Sequence, residues 1–158
     1  MKIAQRIGRI SPSATMAMKI KADELKAQGK NVLSFAVGEP DFPTPDNVIE
    51  AACRAMRAGD TKYTAASGTT QLKQAICDAT ARDIGVRYQP ANVIISNGAK
   101  HSLLNIFQAL VDAGDEVIII APYWVTYPDQ IRYSEGEPVV VETSGDNGFQ
   151  PDLDQVRD

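Results

Sequence analysis

Apolar positions along this chain switch between helical and strand spacing, and each switch marks the border of an element. Ser11-Pro12 opens the first helical stretch, with the serine as cap and the proline at the first helical position. The stretch runs to about Gln28, where Gly29 closes it. Val32–Val37 reads as a short strand. Gly38–Pro45 carries prolines at 40, 43 and 45, so it is a loop rather than a regular element. Thr44-Pro45 repeats the cap-plus-proline signal for a helix ending near Gly59. A second loop, Asp60–Gly68, carries Tyr63. The helix after it places Leu72, Ala75, Ile76 and Ala79 on one face, with Gly85 beyond its end.

The second half alternates. A strand over 93–97 precedes a helix over 100–112, a strand over 116–121, a helix near 128–133 and a strand over 138–143. Leu103, Leu104, Phe107, Leu110 and Val111 recur at helical spacing and are expected to be buried. This alternation predicts an α/β fold. Asp152 and Gln155 form a capping-box pattern that starts one more helix. Only Leu153 and Val156 follow as apolar contacts, so that helix reads as cut rather than finished.

Two strand-to-helix junctions hold the candidate chemistry. At Asn92–Leu103 a β-branched run stops at Gly98-Ala99 and a helix begins at once. Small residues there leave backbone N–H groups open at a helix N-terminus, a natural anion site. At Glu116–Pro128 another apolar strand ends in the single tryptophan, Trp124. Ligands of open α/β sheets gather at the carboxyl ends of strands. An anion cup and a flat aromatic at neighbouring strand ends predict a flat, phosphorylated ligand.

Composition narrows the field. Hydrophobic residues make up 44% and charged residues 23%, ordinary for a globular chain. A net charge of −4 without a basic stripe argues against nucleic acid, and no apolar stretch reaches membrane-spanning length. The N-terminus has no apolar core of signal-peptide length. Cys53 and Cys77 sit in helical patterns, and a single histidine makes a Cys/His metal site improbable. Buried thiols in a reducing cytoplasm are the expectation.

Four motifs, in order, carry a resemblance: Val37–Pro45; Tyr63 with Gly68 and Leu72; Ser96–Lys100; and Ala121–Pro128. The chain resembles the class I aminotransferases of the aspartate aminotransferase type, which use pyridoxal 5'-phosphate. The resemblance covers essentially the whole chain. It implies a partial fold type I large-domain sheet with an N-terminal arm and small-domain segment over 1–45. The first part of the cofactor-binding large domain would then span 46–158. It also implies a homodimer with shared active sites. In that fold strands from downstream sequence separate 93–97 from 116–121, so 116–121 should pair in parallel with 138–143 while 93–97 lacks its partner.

The resemblance assigns roles. Gly98, Ala99 and Lys100 match the turn that holds the cofactor phosphate. Trp124 matches the aromatic that stacks on the pyridine ring and borders the substrate. Tyr63 matches a tyrosine that reaches the cofactor phosphate of the neighbouring subunit, and Gly38 a loop glycine that contacts the substrate carboxylate. For Lys100 two alternatives stand: binding through its backbone N–H alone, or through the ammonium as well. His101 reads as a helix-surface residue, and Glu39 and Asp41 as residues that shape a turn. The family's cofactor-bonding lysine, its pyridine-nitrogen aspartate and its carboxylate-clamping arginine lie downstream of these motifs. No catalytic residue is therefore placed in this chain, and the chain alone is expected to be inactive. The implied activity is amino-group transfer between an amino acid, aspartate or glutamate foremost, and a 2-oxo acid. Aromatic amino acids or prephenate, a lyase on the same fold, and a non-catalytic truncated fragment are the alternatives.

Overall fold

The computed structural model describes residues 2–36 and 38–157. Met1, Val37 and Asp158 lie outside the described residues. With them go the last position of the expected 32–37 strand and the first residue of the Val37–Pro45 motif. The chain forms two compact units, one built on residues up to Met18 together with those from Asn97 onward, the other on Lys19–Ser96.

The unit that begins again at Asn97 carries the α/β alternation. Helix α4 is Ala99–Leu110, strand β1 is Glu116–Ile120, helix α5 is Thr126–Tyr133 and strand β2 is Glu137–Val141. β1 and β2 pair in parallel, from Glu116 opposite Glu137 to Ile120 opposite Val141. Parallel neighbours cannot be joined by a tight turn, and α5 supplies the crossover. The core gathers on that crossover. Ile131 of α5 is fully buried, and Ile119 and Val141 are the buried positions of the strands. Where α5 hands over to β2 the packing leaves room only for Gly136, because a Cβ there would sit 2.5 Å from Val111 Cγ1. A 3-10 turn over Gln5–Arg9 lies on the end of this crossover. Arg6 stands 6.0 Å from the Tyr133 ring centre, and Arg9 reaches Glu135 at 3.4 Å.

The other unit is helical. Helix α2 is Asp46–Arg57 and helix α3 is Thr70–Ile84. Thr69 caps α3 by accepting from Leu72 N–H at 3.3 Å, and Gly85 closes it. Helix α1, Ala14–Ala27, runs from the first unit into the second and begins later than its sequence signal. Ser13, not Ser11, receives the first-turn N–H, from Met16 at 3.3 Å. At α2 the cap position falls on Pro45, whose carbonyl accepts from Val48 and Ile49, so Thr44 does not cap.

Further expectations fail. Residues 32–36 form no strand, and Leu33 and Phe35 are exposed. Residues 93–97 form no strand either. A strand exists only through its ladder, and among the described residues the sheet consists of β1 and β2 alone. Ile95 instead donates its N–H to Ser67 O at 3.0 Å and packs on Gly68. A Cβ on Gly68 would lie 2.2 Å from Ile95 Cγ1, so this glycine is required by close approach. Ile94 stays exposed. Finally, none of the expected apolar positions of α4 is buried: Leu103, Leu104, Phe107 and Val111 are half-buried, and Leu110 is exposed because α4 ends at it, while Val111 takes the contact beside Gly136. The last helix, α6 over Leu153–Arg157, starts where Asp152 signals it. The cap bond runs to Asp154 N–H at 2.9 Å rather than to Gln155.

Candidate functional site

The first turn of α4 is built around Gly98. Its φ of 85° and ψ of 164° lie in a region that side-chain-bearing residues avoid. Beyond its own backbone and chain neighbours, no heavy atom of the described residues lies within 4 Å of the place a Cβ would take, so the backbone demands the glycine and the space in front of it is open. The Gly98 carbonyl accepts from His101 N–H at 3.1 Å and from Ser102 N–H at 3.3 Å. Among the described residues the N–H groups of Gly98, Ala99 and Lys100 have no partner, and no acidic side chain occupies the first turn. Free donors and the positive end of the helix dipole converge on one exposed spot. His101 is exposed, and its Nδ1 accepts from Asn97 N–H at 3.1 Å. That bond puts the ring proton on Nε2 and gives the histidine a role in shaping the turn.

Trp124 lies between β1 and α5, half exposed, with its carbonyl accepting from Tyr127 N–H at 3.0 Å. The approach to it is tied down. Ala121 N–H donates to Val141 O at 2.9 Å, the Thr143 hydroxyl donates to Ala121 O, and the Ala121–Pro122 peptide is cis. Trp124 borders an apolar groove of about 500 Å³ lined also by Leu103, Phe107, Tyr127 and Ile131. The Lys100 ammonium stands 5.3 Å from the indole centre, a cation–π distance. Gly98, Ala99, Lys100 and Trp124 are thus gathered in one unit. A larger cleft of about 620 Å³, lined by residues 10–14 with Leu104, Tyr123 and Tyr133, contains none of them. Tyr63 and Gly38 belong to the Lys19–Ser96 unit. Tyr63 is fully exposed, and a Cβ on Gly38 would meet nothing within 4 Å.

One residue at this site escapes the sequence reading. Gln130 of α5 is buried, and its Nε2 donates to Lys100 O at 2.7 Å. Its signal was available: Tyr127, Gln130, Ile131 and Ser134 follow helical spacing, which puts two polar residues on an apolar stripe.

The family model for aminotransferases of class I and II matches residues 30–158. The chain belongs to this family. It is 48% identical over 157 residues to an aspartate aminotransferase of Geobacillus stearothermophilus, a match covering 99% of this chain and 40% of that one. It is 46% identical to an aspartate/prephenate aminotransferase of Nitrosomonas europaea, covering 99% and 39%. The aspartate aminotransferase of Thermus thermophilus, solved with maleate, superposes with a TM-score of 0.93 at 43% identity, covering 99% of this chain and 41% of that one. The fold is therefore a part of the fold type I aminotransferase architecture, and the parallel β1–β2 pair is the portion of its sheet formed here. The chain spans about 40% of the length of the curated relatives it matches.

Proposed function

We propose that residues 1–158 are the cofactor-phosphate side of a pyridoxal-phosphate-dependent aminotransferase. The observation that carries this is the gathering of an open, glycine-started helix N-terminus and a half-exposed tryptophan, with Lys100 touching both. In this reading the N–H groups of Gly98, Ala99 and Lys100 hold a phosphate dianion, with the Lys100 ammonium free to add its charge or to stay over the indole. Trp124 offers its ring as one wall for the pyridine and keeps water from that face. Tyr63, lacking packing of its own, reaches the phosphate held by a second copy, which makes the protein a homodimer with shared sites. Gly38 brings backbone close to a substrate carboxylate. When bound, pyridoxal phosphate supplies an electron sink for bond cleavage at an amino acid's Cα.

The substrates are an amino acid and a 2-oxo acid, aspartate or glutamate foremost. The aspartate/prephenate name of one relative supports prephenate as the second reading. Residues 1–45 form the arm and small-domain segment, and 46–158 the first part of the large domain. The thiols of Cys53 and Cys77 are free, Cys77 buried as expected and Cys53 only half-buried, and no described helix is long and apolar enough to cross a membrane. Both fit a cytoplasmic enzyme.

The test is a product assay on the complete protein. Aspartate with 2-oxoglutarate should yield oxaloacetate and glutamate. Elimination products would favour the lyase alternative, and neither product would end the reading. Borohydride reduction of a cofactor-treated 1–158 chain should leave no stoichiometric label on any lysine. A single labelled lysine there would contradict the assignment of the cofactor-bonding group elsewhere.

A further inference from the structure

Gln130 joins the two halves of the proposed site from below. It lies in α5, it is 9% exposed, and its Nε2 donates to Lys100 O at 2.7 Å. That bond fixes the amide orientation, because a carbonyl can only accept and so requires the nitrogen to face it. Among the described residues Gln130 Oε1 is then buried without a partner, as is Ser134 Oγ one turn further on. A buried amide with one end unmet is no better for stability than an apolar side chain of the same shape, and usually worse. Stability therefore does not account for a glutamine here.

Its hydrogen bond does act on the anion turn. The Lys100 carbonyl shares a peptide plane with His101 N–H, which donates to Gly98 O at 3.1 Å. The Gly98 carbonyl in turn shares its plane with Ala99 N–H. Holding the Lys100 carbonyl thus restrains, through two peptide planes, the direction in which Ala99 N–H points. Gln130 also sits in the helix that follows Trp124, so the same side chain ties the turn to the element behind the indole.

We propose that Gln130 is a positioning residue for the phosphate turn, holding the Lys100 peptide so that the α4 N–H groups and the Trp124 ring are aligned for one rigid phosphorylated aromatic ligand. This rests on the cofactor reading above. It predicts that stability and phosphate affinity move independently when the amide is removed.

The experiment uses the complete protein with Gln130→Met, which keeps the length and removes the donor, and Gln130→Glu, which can donate only when protonated. Three quantities are compared with the parent: melting of the apo form, the dissociation constant of pyridoxal phosphate, and that of pyridoxal, which lacks the phosphate. The Met variant should melt at or above the parent. It should bind pyridoxal phosphate about two- to tenfold more weakly, the worth of one hydrogen bond, while pyridoxal binding stays near the parent value. In the Glu variant the deficit relative to the parent at the same pH should shrink as pH falls, because the protonated carboxyl restores the donor. Three results would overturn the proposal: a Met variant that melts lower, or does not fold, with cofactor affinity unchanged where measurable; equal losses for both ligands; or a Glu variant whose deficit ignores pH. A parent protein that binds pyridoxal phosphate no better than pyridoxal would instead sink the cofactor reading itself, and this proposal with it.

Discussion

Replacing Gly98 with alanine isolates the backbone requirement of the anion turn. At φ 85° and ψ 164° an alanine carries a dihedral cost of about 1–3 kcal/mol. Crowding adds nothing, since no heavy atom lies within 4 Å of the new Cβ. The strain then has two outlets. If the turn keeps its shape, the folded state bears the cost and the apo protein unfolds at lower urea. If the turn relaxes, the Ala99 and Lys100 N–H groups swing away from their common focus. The same energy then appears as a loss of about 5- to 150-fold in pyridoxal-phosphate affinity. The sum of the two effects, not either alone, should come to about 1–3 kcal/mol. Urea unfolding of the apo form and calorimetric titration of the cofactor, both on the complete protein, give the two parts. Gly148→Ala is the control. That residue has φ 68° and ψ 30° with open space around it, so it should lose about 1–2 kcal/mol of stability and no cofactor affinity. A Gly98→Ala protein with parental stability and parental affinity would refute the reasoning.

Trp124→Ala should weaken cofactor retention by about 1–3 kcal/mol and slow turnover, since stacking and water exclusion are lost together. Equilibrium dialysis and kcat at parental values would make the tryptophan a packing residue only. Tyr63→Phe should act in trans: mixed dimers pairing it with a subunit lacking the cofactor-bonding lysine should report a defect only in the site of the opposite copy, and a defect confined to the same copy would exclude shared sites. On α1, Lys19 Nζ lies 2.8 Å from Asp23 Oδ2. The hydrogen bond from Lys19, and then its charge, hold the Asp23 carboxyl below its ordinary 3.8, while the same bond raises Lys19 above 10.5. The contribution of the aspartate is therefore present above about pH 3.8 and is lost as pH falls through its folded value; that of the lysine is present below its ordinary value and is lost as pH rises through the folded one. An Asp23 titration midpoint that Lys19→Met leaves in place, followed by NMR at low salt, would show that the pair does not interact.

What the sequence reveals here is what is decided locally. Gly85 and Gly59 end helices through bonds and dihedrals made within a few residues, and those borders fall where the residues place them. Gly98 is legible for the same reason, since an apolar run stopping at a Gly-Ala pair before a helix has few other conformations open to it. The 93–97 segment is different. Its β-branched residues state a preference for extended backbone, but a strand also needs a neighbour, and among the described residues Ile95 N–H finds only Ser67. Leu110 fits the apolar stripe of α4 and is still exposed, because helix length, not periodicity, decides whether the last turn reaches packed surface. Gln130 is the far case: its partner is 30 residues away, and no spacing rule connects a glutamine to a distant carbonyl.

Gly98 and Gln130 share a feature that separates them from the residues that merely fold the chain. Ile131 and Val141 are placed as stability alone would place them, apolar and buried. Gly98 is required by its φ of 85°, and the turn it allows forgoes the side-chain bond that serine or aspartate would add at an ordinary cap. Gln130 leaves an oxygen buried and unmet, where methionine would leave nothing. An aspartate at the cap would also put a negative charge where a phosphate is proposed to sit, and a methionine beneath the turn would release the Lys100 peptide. Both departures from a stability optimum therefore act on the same peptide planes and serve the same end, an Ala99 N–H that is free, uncrowded and fixed in direction. Local sacrifices of this kind, concentrated on one donor, are what a ligand-directed turn requires and a purely structural helix start does not.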